Sequence, residues 1–136
     1  MANATIHATG TCAPISWDEG PYAELDGAPR LTHARISNTY HGDLEGEGTA
    51  EVLMFYPTAT SATYHGYERV NGRLGTRSGS FVLESLGTFE AGVARTRWRV
   101  VPGSGTGELT GLRGEGGNDT PAGGTEIPYR LYYDFD

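Results

Sequence analysis

The sequence predicts an all-β protein: a closed antiparallel β-barrel of about eight strands, forming one domain over residues 1–136 with its core at about residues 5–135. Three observations favour this fold. Apolar and polar residues alternate over many short segments, whereas no segment of about 11 residues repeats its apolar positions with a helical period. The 136 residues suffice for one hydrophobic core. Several of the 21 glycines fall inside predicted strands, where they relieve crowding in a sharply bent sheet and favour a barrel over a sandwich.

Four predicted strands occupy the first half of the chain: Thr5–Cys12, Leu31–Tyr40, Gly46–Tyr56 and Ser61–Val70. An acidic loop, residues 18–29, is expected between the first and second strands. Pro57 is expected to end the third strand, because proline cannot donate to a β-ladder. Asn71 and Gly72 both tolerate positive φ, so they predict a hairpin turn after the fourth strand.

Alternation continues in the second half of the chain. It predicts strands at Ser78–Phe89 and Ala94–Val101, a short helical turn near residues 106–112, and strands at Arg113–Gly116 and Tyr129–Phe135. The polar segment Gly117–Pro128 is expected to be a loop. Within this framework, even-numbered residues from 34 to 70 should face a shared interior.

Composition and charge exclude several classes of function. The net charge of −7 opposes contact with a phosphate backbone, so we expect no nucleic-acid partner. The longest apolar run, residues 52–56, is too short to span a bilayer, and the first residues lack the pattern of a secretion signal; we expect no membrane association. Cys12 is the single cysteine, which makes the cytoplasm the simplest compartment. The absence of lysine excludes Schiff-base chemistry.

Five motifs carry a family resemblance when they are read in order. They are Trp17-Asp18-Glu19, the glycine-rich run from Gly42 to Thr49, Gly66-Tyr67-Glu68-Arg69, Arg77–Phe81 and Gly103–Leu109. Together they resemble a family of short bacterial proteins of unknown function, whose fold is similar to the allene-oxide-cyclase barrel, a relative of lipocalins. The resemblance implies this barrel fold over nearly the whole chain. Barrels of this shape elsewhere host cyclases and stereo-directing proteins, which is an analogy of fold and assigns no activity.

Glu68 is the candidate catalytic residue. If Tyr64, Gly66, Glu68 and Val70 form the inward face of the fourth strand, Glu68 is the charged residue among them. Burial of a lone carboxylate raises its pKa, and a carboxyl tuned in this way transfers protons near neutral pH. Two structural alternatives are an ion pair between Glu68 and an arginine, and an outward orientation with Tyr67 inside instead.

Five further residues are candidates for ligand binding in the same interior: Asn38, Tyr40, Tyr56, Tyr64 and Trp98. The polar ends of the first four could orient a carbonyl or hydroxyl group of a ligand, and the indole of Trp98 could form an apolar wall. The alternative for these residues is ordinary core packing, with each tyrosine hydroxyl hydrogen-bonded at a rim of the barrel.

Other polar groups are less informative. Glu47 and Glu51 lie on the polar face of their strand, which favours a solvated surface over a glycosidase pair. The four histidines lack metal-binding spacings, so we expect no metal site. Cys12 has no activating neighbour in the sequence and is interpreted as a small buried side chain.

These patterns lead to a functional hypothesis and its alternatives. The preferred hypothesis is a barrel that binds a small, largely apolar organic molecule and acts as a cyclase or isomerase without a cofactor, with Glu68 moving a proton. The alternatives are a carrier or sensor that performs no chemistry, and a filled barrel that makes protein contacts through its outer faces. Leu53, Phe55 and Tyr67 should be exposed on a monomer. Their exposure makes the outer face a candidate interface for a homo-oligomer.

Overall fold

The computed structural model describes residues 5–121 and 125–136, which form an all-β structure. These residues contain eight strands and one 3-10 helix, Gly107–Leu109. The strands are β1 (Ile6–Pro21), β2 (Arg30–Gly42), β3 (Leu44–Thr58), β4 (Ser61–Leu74), β5 (Arg77–Glu90), β6 (Val93–Val100), β7 (Leu112–Pro121) and β8 (Ile127–Phe135). The 3-10 helix lies within the segment for which the sequence predicted a helical turn.

The sheet closes on itself. Each strand pairs antiparallel with the next along the chain, and β1 pairs antiparallel with β8 from Ile6↔Tyr133 to Cys12↔Ile127. Every described strand therefore has a neighbour on both sides, so no edge is left unpaired. The predicted closed antiparallel barrel is confirmed.

The pairing register keeps even-numbered residues of β2, β3 and β4 on the inner face. Tyr40 pairs with Gly46, and Ala50 pairs with Glu68. Ala34, Tyr40 and Val70 are fully buried. Because residues alternate between the two faces of a strand, these pairs place one continuous set of side chains in the interior.

Two strand glycines are required by close approach between neighbouring strands. A Cβ atom on Gly66 would overlap the carbonyl oxygen of Glu51, and one on Gly72 would overlap the carbonyl oxygen of Glu45. Both glycines therefore let β4 bend against β3 as the sheet curls, in agreement with the expected role of strand glycines.

The predicted turn at Asn71 and Gly72 is wrong. β4 continues to Leu74, Asn71 pairs with Ser80 and Gly72 pairs with Gly79. The chain reverses instead at Gly75, whose φ of 62° suits glycine. The chain does not turn at Asn71 and Gly72, because Gly72 is needed inside β4 at a position where no side chain fits.

Strand boundaries also correct three other sequence expectations. β1 extends into the expected acidic loop as far as Pro21, with Ile15 outside the register as a bulge. β3 continues past Pro57 to Thr58 through a second irregularity. β7 extends to Pro121, into the segment expected to be a loop. In each case pairing with a neighbouring strand overrides local polarity or a proline.

The interior of the barrel has two halves. The filled half, near the 3-10 helix, is packed with large side chains such as Leu44, Leu74, Phe81, Leu109, Leu112 and Tyr133. The hollow half, toward the β3–β4 and β5–β6 turns, has the smaller buried cluster Ala34, Ala50, Val52, Met54 and Ala62. The difference in side-chain volume leaves open space in the hollow half.

Candidate functional site

The hollow half contains a cavity of about 440 Å³, a size typical of small-molecule sites. Its wall is mainly apolar and includes Ile36, Ala50, Val52, Ala62, Phe89 and Ala94. Trp17, whose side chain is exposed, also lines it, so the cavity reaches the surface near the end of β1. We call this opening the mouth. Side chains do not fill the barrel completely.

All six candidate residues from the sequence line this cavity: Glu68, Asn38, Tyr40, Tyr56, Tyr64 and Trp98. Glu68 is 3% exposed, so its side chain lies inside the barrel and the outward alternative is wrong. Tyr40 and Trp98 are also buried, and their rings meet edge to face with centroids 6.2 Å apart. The structure thus brings the six residues together, while their binding and catalytic roles stay predictions.

Glu68 is held at the inner end of the cavity through one of its two oxygens. The Tyr40 hydroxyl donates to Oε2 at 2.6 Å, and Asn38 Nδ2 donates to the same atom at 3.1 Å. A Cβ atom on Gly48 would overlap Oε2, so only glycine leaves room for the carboxyl group at this position. Tyr40, Asn38 and Gly48 together fix the orientation of the carboxyl group.

The second oxygen of Glu68, Oε1, has no hydrogen-bond partner among the described residues. Among the described residues, every side-chain oxygen or nitrogen that is shielded from solvent has a hydrogen-bond partner. Oε1 is therefore open to the cavity. Since Oε2 accepts two hydrogen bonds, a proton on the neutral carboxyl group resides on Oε1 and points into the cavity.

Burial determines the protonation of this inner region. It raises the pKa of Glu68, and the hydrogen bonds from Tyr40 and Asn38 oppose that rise only in part. No cationic group contributes, so the predicted alternative of an arginine ion pair is wrong for the described residues. Burial, followed by the negative charge of Glu68, raises the pKa of the Cys12 thiol to about 12. Cys12 is thus an unreactive buried thiol.

A second carboxylate, Glu19, lies at the mouth. It accepts hydrogen bonds from the hydroxyls of Thr32 and Tyr56, each at 2.6 Å, and from Trp17 Nε1 at 3.0 Å. The Arg30 guanidinium lies 4.0 Å from the carboxylate and 4.6 Å from the centre of the Tyr56 ring. Glu19 therefore fixes the two aromatic side chains beside the opening.

Comparison with known proteins identifies the family. A family model described as "Protein of unknown function (DUF3224)" matches residues 8–133. The chain belongs to the DUF3224 family. The predicted membership in a family of unknown function is confirmed.

A crystal structure supports the barrel of this DUF3224 member. It is that of a DUF3224 protein of unknown function from Shewanella oneidensis MR-1, and it is 31% identical in sequence. The alignment covers 98% of this chain and 99% of that chain, with a TM-score of 0.79. Among curated proteins there is no match.

Sequence reasoning missed three polar residues of the DUF3224 cavity region. The sequence predicts a loop at Glu19, because the bulge at Ile15 interrupts the alternation that would join this residue to β1. Ser85 and Asn118 line the cavity and are buried. The signal for Ser85 was its place between Leu83 and Phe89 on the inner face of β5, whereas Asn118 lay in the segment expected to be a loop.

Two structural features are absent from residues 5–121 and 125–136: a cluster of potential metal ligands and a membrane-spanning helix. No three or more histidine, cysteine or acidic side chains come together there as a metal site would need. Those residues also contain no helix with the length and apolar character to cross a bilayer.

The outer face of the barrel carries exposed apolar residues, as expected for Leu53, Phe55 and Tyr67. A depression of about 620 Å³ crosses this face between Leu53 and Phe55 on β3 and Arg95 and Arg97 on β6. Self-association through this face stays a prediction.

Proposed function

We propose that this DUF3224 member binds a small, largely apolar organic molecule in its cavity and isomerises or cyclises it without a cofactor, with Glu68 transferring the proton. One observation carries the proposal. A carboxyl group that is 3% exposed has one oxygen fixed by two donors and the other open to an apolar cavity. Carboxyl groups with this kind of environment are characteristic of general acid–base sites.

Such a reaction needs no proton donor or acceptor other than Glu68. The raised pKa favours the neutral carboxyl group, which donates its Oε1 proton to the bound molecule. The carboxylate that forms keeps the hydrogen bonds from Tyr40 and Asn38, which stabilise its charge. It then removes a proton from another position of the same molecule. The molecule is rearranged with no net gain or loss of atoms, and Glu68 is restored.

The apolar wall would assist both binding and chemistry. Ala50, Val52 and Ala62 keep water from the reacting centre and leave room for a folded substrate. The single buried cysteine supports the cytoplasm as the proposed compartment, and the acidic charge disfavours nucleic acid as a partner.

The first experiment identifies what the barrel holds and whether it exchanges protons. Native mass spectrometry of protein purified from its own source should reveal a bound organic molecule. That molecule, extracted and incubated with fresh protein in D₂O, should gain deuterium at carbon. Glu68→Gln should abolish the exchange, because an amide cannot transfer the proton. Glu84→Gln, on the outer surface beside His65, is the matched control and should exchange normally.

A non-catalytic carrier or sensor is the second candidate. One observation favours it: Glu68 is the one carboxyl group among the residues that line the described cavity. Cys12 and Tyr40 have raised pKa values and stay protonated near neutral pH, so they offer no second group to relay a proton. Retention of a molecule that takes up no deuterium would establish the carrier and exclude the isomerase. Native protein with no bound molecule, and no affinity for uncharged aromatic probes, would contradict both.

A further inference from the structure

Three hydrogen-bond donors on the wall formed by β5, β6 and β7 have no partner among the described residues. They are the hydroxyl of Ser85, Nε1 of Trp98 and Nδ2 of Asn118. The side chains are 7%, 5% and 8% exposed, respectively. The Thr120 hydroxyl donates to Asn118 Oδ1 at 3.3 Å, which leaves the amide nitrogen free. Every side-chain nitrogen or oxygen of the described residues that is shielded from solvent has a hydrogen-bond partner. These three atoms have none, so they are open to the cavity that their side chains line.

The three donors are neighbours in the sheet. Ser85 pairs directly with Trp98, and Trp98 pairs with Gly116, two residues before Asn118 on the inner face of β7. Ser85 is the cross-strand partner of Trp98 and Asn118 is its diagonal neighbour, so the indole lies between the other two donors along the wall.

Donors that line a cavity need an acceptor inside it. Burial of a polar group without a hydrogen bond destabilises the folded state, so whatever occupies the cavity must supply acceptors for these three groups. An acceptor atom on a bound ligand would satisfy these donors. A carbonyl oxygen has two lone pairs and can accept hydrogen bonds from more than one of these N–H and O–H groups.

The charge of the lining narrows the ligand class. No arginine, lysine or histidine is among the residues that line the described cavity. A carboxylate or phosphate would therefore enter without a counter-charge, beside a carboxyl group whose own ionisation is disfavoured. The acceptor must be an oxygen that is neutral in the ground state.

We infer that Ser85, Trp98 and Asn118 form a binding site for the carbonyl oxygen of an uncharged ligand. The inference rests on the proposed function and names its substrate class: a neutral ketone, aldehyde, ester or lactone with an otherwise apolar skeleton. Negative charge that develops on the carbonyl oxygen during proton transfer would be stabilised by the same donors. Glu68 supplies the proton, and the three-donor wall recognises the carbonyl.

The test uses two uncharged probes of the same shape, 2-acetylnaphthalene and 2-isopropenylnaphthalene, which differ by a carbonyl in place of a methylene group. Their dissociation constants are measured by calorimetry for the native protein and for Ser85→Ala, Trp98→Phe and Asn118→Leu. The ratio of the two constants cancels the hydrophobic contribution that the probes share. We expect each variant to shift the ratio about fivefold toward the hydrocarbon, as the loss of one hydrogen bond predicts.

Ser104→Ala is the matched control. Ser104 lies outside the cavity and its hydroxyl is already paired, with the Val82 amide at 3.0 Å. This variant should lower the melting temperature and leave the probe ratio unchanged. Ser85→Ala should do the reverse: it changes the ratio and does not lower the melting temperature, because no partner in the protein loses a bond. The infrared carbonyl stretch of bound 2-acetylnaphthalene should move to higher wavenumber in Ser85→Ala.

The outcomes separate this inference from the proposed function. If both probes bind and the three cavity variants leave the ratio within twofold of the native value, the carbonyl site is excluded while ligand binding in the cavity stands. If neither probe binds the native protein, the cavity takes no uncharged aromatic ligand, and both proposals fall. If the ratio shifts but Glu68→Gln still exchanges deuterium, the carbonyl site stands and the catalytic role of Glu68 falls.

Discussion

One carboxylate, Glu68, lines the cavity and a second, Glu19, lies beside its mouth, and each accepts a hydrogen bond from a tyrosine hydroxyl at 2.6 Å. Glu68 is bonded to Tyr40 at the inner end, and Glu19 is bonded to Tyr56 at the mouth. Burial raises the pKa of Glu68. Burial acts in the same sense on Glu19, but hydrogen bonds from Thr32, Tyr56 and Trp17 and the charge of Arg30 outweigh it, so its pKa is lowered.

The difference teaches that the surroundings, and not the shared tyrosine contact, decide what each carboxyl group can do. At neutral pH Glu19 is ionised and holds the aromatic side chains of the mouth in place. Burial makes Glu68 harder to ionise, so its neutral form, with a proton directed into the cavity, persists to higher pH than that of an exposed glutamate. One group is suited to structure and the other to proton transfer.

The largest expected effect comes from removing the space that Glu68 occupies. Gly48→Ala places a methyl group on Oε2, so the carboxyl group must move away from Tyr40 and Asn38. We expect a loss of about 3 kcal/mol in the free energy of unfolding, as for overpacked cores. Urea denaturation measures it. Gly20→Ala, near the mouth, has no atom close to the added methyl group and should cost less than about 1 kcal/mol.

A double variant distinguishes a specific clash from general strain in β3. Gly48→Ala combined with Glu68→Ala should cost clearly less than the sum of the single variants, because the overlap requires both side chains. Additive costs would show that Gly48 is needed for another reason and that its link to the carboxyl group is wrong.

Removal of each tyrosine hydroxyl sharpens the comparison. Tyr40→Phe leaves a buried carboxyl oxygen with one donor, and it should cost about 2 kcal/mol and raise the pKa of Glu68 further. Tyr56→Phe acts on a group with two other donors and partial solvent contact, and it should cost about 0.5 kcal/mol. Both variants remove one 2.6 Å bond, so equal costs would contradict the difference drawn between the two sites. Carbon-13 NMR of the glutamate carboxyl groups follows the pKa changes.

Sequence reasoning reached the inner site but not the mouth. Alternation on β2, β3 and β4 runs without interruption through Asn38, Tyr40 and Glu68, so parity alone placed them on one face. Glu19 follows the bulge at Ile15, where one added residue reverses the parity, and nothing in the local composition announces that residue.

Contacts between neighbouring strands account for the other features that the sequence does not predict. Asn71-Gly72 is a strong local turn signal, yet Gly72 is needed for its approach to Glu45 on the neighbouring strand. The inward position of Ser85 could be read from its strand. Whether its hydroxyl has a partner depends on side chains of β6 and β7, whose packing no alternation pattern describes.

The pH dependence of stability should have opposite signs for the two groups. Because the folded pKa of Glu68 is raised, its contribution to stability is fully present below the unfolded pKa and is lost as pH rises through the folded value. Glu68→Gln should therefore gain stability relative to the native protein as pH rises from acid to neutral. The gain is about 1.4 kcal/mol for each unit of pKa difference.

Glu19 should behave in the reverse way. Its folded pKa is lowered, so its contribution is present above the unfolded pKa and is lost as pH falls through the folded value. Glu19→Gln should be less stable than the native protein at neutral pH, and the two should converge in acid. Melting curves between pH 3 and pH 8 test both variants. Parallel curves for Glu68→Gln and Glu19→Gln would remove the distinction between the two carboxylates.

The smallest expected effect is on the reactivity of Cys12. Glu68 is the one charged group that contributes to the pKa of its thiol. Burial is the main reason that its pKa lies at about 12, and the carboxylate of Glu68 adds to it. Labelling by iodoacetamide at pH 8 should be slow in the native protein and less than about threefold faster in Glu68→Gln, because burial persists. Glu19→Gln should not change the rate, since Glu19 does not contribute to the pKa of Cys12. A rate increase in Glu19→Gln equal to that in Glu68→Gln would mean that both variants loosen the barrel, and that the charge of Glu68 does not reach the thiol.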